Sequence, residues 1–245
     1  MHPLLLETSH RTAPMPGGPW VMAQTWHDLL FAHWAMPPDR VRSLVPQELE
    51  LDLRDGQAYM GVVPFWMSGI RARFAPPLPG LSRFPELNVR TYVIYNGVPG
   101  VYFFSLDAAN RVAVRGARWG YNLPYFYAAM SVKSMGEKLH YSSRRLEDPR
   151  PAEFAGSYWP VSPTRQREPG SLEHFVSERY CLYTVDRGRV FHTYIHHLPW
   201  PLQDAEADIE VNTMAQAAGI TLPQAKPVLH FARFMEVLAW WPERA

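Results

Sequence analysis

Four polar residues alternate along one stretch of this 245-residue chain: Glu86, Asn88, Arg90 and Tyr92, separated by Leu87, Thr91 and Val89, with Val93 following. In a β-strand successive side chains point to opposite faces, so the four would share one face. A carboxylate, an amide and a guanidinium on one face can orient a small ligand or take a proton from it. Glu86 and Arg90 would then pair or share that ligand, and a buried carboxylate beside arginine would stay ionised. The same alternation also describes an ordinary solvent face of an antiparallel sheet. The pattern acquires chemical meaning only if that face lines an interior. Tyr125 and Tyr127 share a second strand face. An apolar ring with a polar tip suits the wall of a small-ligand pocket, and it suits core packing equally well. His33, beside Trp34, is either a proton-transfer group or a hydrogen-bonded core histidine.

Other chemistries find less support. His192, Tyr194 and His196 fall on one strand face, with His197 on the other, but no acidic residue or cysteine is interleaved. No metal site is expected there. Cys181, the single cysteine, sits between Tyr180 and Leu182, an apolar setting that disfavours the thiolate. A Gly-x-Ser-x-Gly elbow, a glycine-rich phosphate loop and a dinucleotide fingerprint are all missing, so no cofactor is expected. Lysine occurs only at positions 133, 138 and 226, which leaves amine chemistry few places to sit.

The elements that must carry these residues read mostly as strands. Leu29–Met36, Leu49–Leu53, Gln57–Trp66, Leu87–Tyr95, Val101–Leu106, Tyr125–Val132, Leu139–Ser143, Tyr180–Val185, Val190–His197 and Val228–Leu238 have β character. Asp55-Gly56, Asn96-Gly97 and Arg187-Gly188 mark hairpins, and Met135-Gly136 a turn. Pro64 predicts an edge or a bulge. Short helices are expected after Pro37-Pro38, from a cap at Asp107 through about Arg118, from a cap at Ser171, and over Asn212–Gly219. The proline-rich stretch Ala75–Pro85 predicts a lid or a rim. Without βαβ alternation, the expectation is a mostly β (α+β) domain over 23–245, a barrel or sandwich with a few short peripheral helices, preceded by an arm over 1–22.

Composition narrows the partners. With 24 basic and 23 acidic residues, the chain as a whole attracts no polyanion, so neither nucleic acid nor a membrane is expected as a partner. The short arginine clusters (Arg71 and Arg73, Arg144 and Arg145, Arg165 and Arg167) read as solvated surface. One cysteine and the absence of a signal-peptide layout point to a cytoplasmic protein. Aromatic residues make up 13% of the chain, an excess that would serve a homo-oligomeric interface as readily as a pocket.

Five stretches in order, Phe31-Ala-His33-Trp34, Glu86-Leu-Asn88-Val-Arg90-Thr-Tyr92, Gly100-Val-Tyr102-Phe-Phe104-Ser-Leu106, Leu123-Pro-Tyr125-Phe and Glu178-Arg-Tyr180-Cys-Leu-Tyr183, resemble the YqjF-like bacterial family. That family is grouped with the acetoacetate decarboxylase-like proteins. The resemblance implies their β-barrel around a central cavity, with the Glu86 strand in the cavity wall. In the decarboxylases an arginine and a glycine-containing turn lead to a proline followed by the imine-forming lysine and a second lysine. Here Arg118, Gly120 and Pro124 resemble that segment, and Tyr125 and Phe126 stand where the lysines would be. Glu86 resembles the superfamily's acid on the central strand. A phenol cannot form the protonated imine that serves as electron sink. The resemblance therefore implies a cavity for a small carboxylate or carbonyl compound, without ketimine decarboxylation. Glu86, Tyr125 and Arg118 are the candidate catalytic residues, and His33, Asn88, Arg90 and Tyr127 the candidate ligand contacts. A non-catalytic sensing domain and a structural protein with a filled barrel remain alternatives.

Overall fold

The computed structural model of the chain describes residues 2–166 and 168–245. Arg167 of the third arginine cluster and Met1 of the arm lie outside the described residues. Among the described residues thirteen strands form one mostly antiparallel sheet. In chain order they are β1 (Met22–Met36), β2 (Glu50–Leu51), β3 (Ala58–Ala72), β4 (Phe84–Tyr95), β5 (Val98–Ala108), β6 (Tyr125–Met135), β7 (Lys138–Arg145), β8 (Glu153–Pro160), β9 (Cys181–Asp186), β10 (Arg189–His196), β11 (Gln203–Asn212), β12 (Val228–Ala239) and β13 (Glu243–Arg244). Three short helices accompany them: α1 (Pro38–Arg42), α2 (Arg111–Tyr121) and α3 (Leu172–Ser177). Among the described residues, no helix is long and apolar enough to cross a membrane.

The pairings run around a near-ring: β5 to β9, β10, β12, β1, β3, β4 and back to β5. Two of its seams are short. β5 and β9 pair in parallel through Val101↔Leu182 and Tyr102↔Tyr183, and β10 meets β12 through Ile195↔Ala239 and His196↔Leu238. A second arc, β6–β7–β8–β11, leaves β5 and returns to β12. The largest core fills the space between this arc and the outer faces of β1, β3 and β4, joining Leu30, Val62, Leu87, Val89 and Val93 to Tyr141, Phe154 and Tyr158. Strand β1 contributes Leu30 and Ala32 to that core and Leu29 and Phe31 to the core inside the ring. Both its faces are buried over Leu29–Trp34, which explains an apolar run there that only His33 interrupts.

Local chemistry sets the turns. Asp55 and Gly56, Asn96 and Gly97, and Arg187 and Gly188 each adopt successive positive φ angles, between 48° and 76°, as two-residue hairpins with the strands' twist require. Pro64 lies opposite the irregular stretch of β1 where register shifts between His27 and Ala32, the bulge its missing N–H predicts. Gly100 supports the β5–β9 seam by absence. A Cβ there would stand 2.6 Å from the Cys181 carbonyl oxygen and 2.6 Å from the Tyr183 ring. Gly100→Ala is therefore expected to destabilise the protein by about 1–3 kcal/mol through overpacking. Thermal denaturation checks this, and an unchanged midpoint would show that the seam yields freely.

Several expectations need correction. Asp107 does not cap a helix. It lies within β5, and Asn110 caps α2 by accepting from Val112 N and Ala113 N at 3.0 and 3.1 Å. Asp107 is instead held in the sheet by a two-pronged pair with Arg145 of β7, Nε–Oδ1 2.8 Å and Nη2–Oδ2 2.7 Å, with both side chains buried. Asn122, at φ 51°, ends α2. Strands β8 and β11 were not expected, and Asn212–Gly219 holds only a 3₁₀ turn over Gln216–Ala218. The N-terminal arm is tied down. Arg11 Nη1 donates to Ile195 O at 2.8 Å, and Leu4 packs with Ala23, Leu238 and Trp240.

Candidate functional site

The near-ring encloses a cavity of about 290 Å³. Its wall comes from the inward faces of β1 (Trp26, Leu29), β3 (Val63, Phe65, Met67), β4 (Glu86, Asn88, Arg90), β5 (Val101, Phe103, Leu106), β9 (Leu182) and β10 (Thr193, Ile195). Helix α2 lies across one end and presents Ala113, Gly116, Ala117 and Tyr121, with Leu81 of the proline-rich loop beside it. Arg179, Ser177, His197, Trp200 and Tyr125 also line it. Most of the wall is apolar, and a carboxyl–phenol pair stands where β4 approaches the start of β6.

There Tyr125 Oη donates to Glu86 Oε2 at 2.9 Å. The parallel pairing Leu106↔Tyr125 and the antiparallel pairing Glu86↔Ala108 bring both residues to β5. From behind, Tyr141 Oη donates to the Glu86 backbone carbonyl at 2.7 Å and holds that strand segment. Burial raises the Glu86 carboxyl to about 8, against the lowering effect of the Tyr125 hydrogen bond. Burial likewise pushes the Tyr125 phenol well above its ordinary value, so it remains a donor. The expected ionised carboxylate beside arginine is thus not found. Arg90 Nη2 donates to Val176 O at 3.0 Å, and its guanidinium stacks over Phe31 and Tyr92 rather than pairing with Glu86.

Several lining side chains carry buried polar atoms with no hydrogen-bond partner in the protein: Asn88 Oδ1, Arg90 Nε, Trp26 Nε1 and Trp200 Nε1. Three of these are N–H donors. Orphaned buried polar groups are rare because each costs about 1–3 kcal/mol. Such atoms also occur away from the cavity among the described residues, as at Ser105 Oγ and Ser143 Oγ.

Other candidate residues stand elsewhere. Arg118 is outside the lining. It donates through Nε to the Tyr125 carbonyl at 2.6 Å and through Nη2 to Glu147 at 2.6 Å, and so fixes the start of β6 without reaching the cavity. Tyr127 also lies off the lining, under the Arg111 guanidinium at 4.4 Å. His33 is buried behind the wall, with Nε2 2.6 Å from Tyr92 Oη. Tyr92 donates its one proton to Val176 O at 2.7 Å, so His33 Nε2 must be the donor in their contact. Burial keeps that imidazole neutral, well below its ordinary value. None of the three lysines lines the cavity, and Lys133 is exposed. Burial raises the Cys181 thiol to about 12. Among the described residues no group of three or more His, Cys, Asp or Glu is placed to hold a metal ion. His196 instead meets Leu4 O at 2.8 Å and Arg11 Nη1 at 3.0 Å.

Sequence reasoning missed Arg179, Trp26 and Trp200. Arg179 is buried against Asp52, Nη1–Oδ2 2.5 Å, and stands with Ser177 and Glu178 between two apolar segments, as a turn into a strand would.

The DUF2071 family model, described as "Uncharacterized conserved protein", matches residues 23–236. The chain belongs to this family. The protein YqjF of Bacillus subtilis (strain 168) is 50% identical over 226 residues, covering 92% of this chain and 93% of that protein. Among solved structures, the enduracididine biosynthesis enzyme MppR complexed with pyruvate superimposes with a TM-score of 0.60 at 11% identity, over 93% of this chain and 91% of that one. An acetoacetate decarboxylase from Legionella pneumophila gives a TM-score of 0.63 at 12% identity, over 94% and 92%. At such identities the likeness is one of fold. This DUF2071 chain therefore has the acetoacetate decarboxylase-like fold, with a tyrosine–glutamate pair and, among the described residues, no lysine in its cavity wall.

Proposed function

We propose that this protein is a β-barrel domain whose central cavity binds a small carboxylate or carbonyl compound and performs acid–base chemistry on it with Glu86 and Tyr125. One observation carries the reading: a buried carboxyl, raised to about 8 by burial, is hydrogen-bonded to a phenol at 2.9 Å in a cavity wall. Near neutral pH the pair holds two protons but uses only one in its internal hydrogen bond. The second is available to a carbonyl oxygen in the cavity, and a carboxyl titrating near the working pH can also take a proton back. Asn88 and Arg90 on the same wall provide polar neighbours for a ligand's oxygens. Arg118 acts as a positioning residue through the Tyr125 carbonyl. The cavity volume of about 290 Å³ is at the small end of ligand pockets. Without a lysine in the wall, the chemistry proceeds without an imine.

The test is a panel of keto and hydroxy acids, beginning with pyruvate, which one MppR structure contains. Turnover of one member is expected, with a loss of about 10²–10⁴-fold in Glu86→Gln, the usual worth of a general acid–base group. Borohydride added to the same incubations is expected to leave the protein mass unchanged. Tight binding without turnover would assign the cavity to sensing. Failure of every member to bind, or a borohydride adduct on a lysine, would overturn the proposal.

A further inference from the structure

At the α2 end of the cavity, strands β3, β5 and β12 finish and β1 and β4 begin. The segments that follow or precede them there have an unusual composition. Residues 71–84 and 111–121 contain Arg71, Arg73, Arg83, Arg111, Arg115 and Arg118, with no Asp or Glu, in a chain whose 24 basic and 23 acidic residues balance only as a whole. Among the described residues the two most exposed large hydrophobic side chains also belong to these segments, Phe74 at 92% and Trp119 at 91%. Leu78, Leu81, Val112 and Trp241 are exposed at the same end.

The geometry connects these residues to the cavity mouth. Val112, Gly116 and Trp119 share one helix stripe by their spacing, and Gly116 lines the cavity. Asn110 Nδ2 reaches Gly80 O at 3.4 Å, which joins α2 to the proline-rich loop. Trp241 stacks on Tyr121, with ring centroids 5.7 Å apart. Leu81 is both a lining residue and an exposed one.

We infer that this end of the molecule docks on an anionic lipid surface, with Trp119 and Phe74 entering the interface and the surrounding arginines meeting headgroup phosphates. Charge decides among occupants. In a symmetric dimer the same patch faces itself, so arginine would meet arginine, and the neighbouring acid, Glu147, is already paired to Arg118. An anionic bilayer supplies the opposite charge, and isolated tryptophans flanked by arginine are the side chains that favour the membrane–water boundary. Balanced charge over the whole chain gave no expectation of a membrane partner, because the asymmetry is local and appears only when the two segments meet across the mouth. If the cavity binds a small carboxylate or carbonyl compound as proposed above, ligand would exchange directly with the bilayer surface.

Cosedimentation of the full chain tests this with vesicles of phosphatidylcholine alone or mixed equally with phosphatidylglycerol. At least tenfold more protein is expected on the mixed vesicles, with release by high salt. Trp119→Ala combined with Phe74→Ala should lose most of that binding, and so should Arg115→Glu. These side chains are exposed, so circular dichroism should be unchanged. Equal binding to the two vesicle types, or full binding by the double variant, would overturn the inference. So would concentration-dependent self-association in sedimentation velocity that Trp119→Ala abolishes, since the patch would then belong to a second copy. None of these readouts depends on turnover, so failure here leaves the acid–base reading standing, and the reverse.

Discussion

Glu86→Gln is expected to make the protein more stable above pH 8 and to remove most of the pH dependence of its stability in the neutral range. The unfolded chain releases the Glu86 proton near pH 4.5, whereas the folded protein holds it until about pH 8. Folding therefore takes up a proton between these values. Stability from this group is fully present below pH 4.5, declines as pH rises, and is lost above 8. Each unit of displacement corresponds to about 1.4 kcal/mol, so the decline over the interval is on the order of 5 kcal/mol. Glutamine keeps the shape and can still accept from Tyr125, but it has no proton to lose. Urea unfolding of both proteins at pH 5 and pH 9 measures the difference. Parallel stability curves would mean that Glu86 ionises normally in the folded state, and the acid–base proposal would lose its support. A residue that costs stability at working pH yet occupies a cavity wall fits the trade-off often found at functional sites.

The second large effect lies just behind the site. Asp107→Ala would leave the Arg145 guanidinium buried with its principal partner gone; the Arg145 and Asp107 side chains are only 2% and 0% exposed. Breaking a buried pair from one side costs about 3–5 kcal/mol because the remaining charge is uncompensated. Replacing both partners, Asp107→Leu with Arg145→Met, should recover much of that loss, since apolar residues of similar volume often substitute for a buried pair. Urea midpoints of the single and double variants check both statements. A loss below about 1 kcal/mol in Asp107→Ala would show that Asp148, 3.8 Å from Arg145 Nη1, takes over the charge.

These two residues also mark how far the sequence could be read. The β4 alternation, the Asn96-Gly97 hairpin and the Ser171 cap are local signals, and each appears in the structure. The inward face of β4 follows from period-two alternation once that face is known to line an interior. What failed was long-range. Asp107 has the composition of a helix cap, and only its distant partner Arg145 reveals that it belongs in the sheet. Glu86 was expected to remain ionised because Arg90 follows four positions on. The arginine turns instead to the Val176 carbonyl, a contact with α3 that the spacing cannot show. Strand β11 was missed because its exposed positions include Glu206, Asp208 and Glu210, residues that read as loop. Arg118 lies close to Tyr125 in the chain and does bond it, but through the backbone and from outside the wall.

The pairing of β1 with β12, from Met22↔Ala239 to His33↔Val228, has a consequence for synthesis. A ribosome delivers about 5–20 residues per second, N-terminal end first. Until β12 emerges, β1 has no neighbour on one side and the apolar flank it will later seal stays open to water. Hairpins such as β4–β5 can form early, but the enclosed cavity comes into being only near the end of translation. A nascent chain of this kind should depend on holdase protection, and a stop codon placed before residue 228 should yield aggregated material rather than a smaller working version.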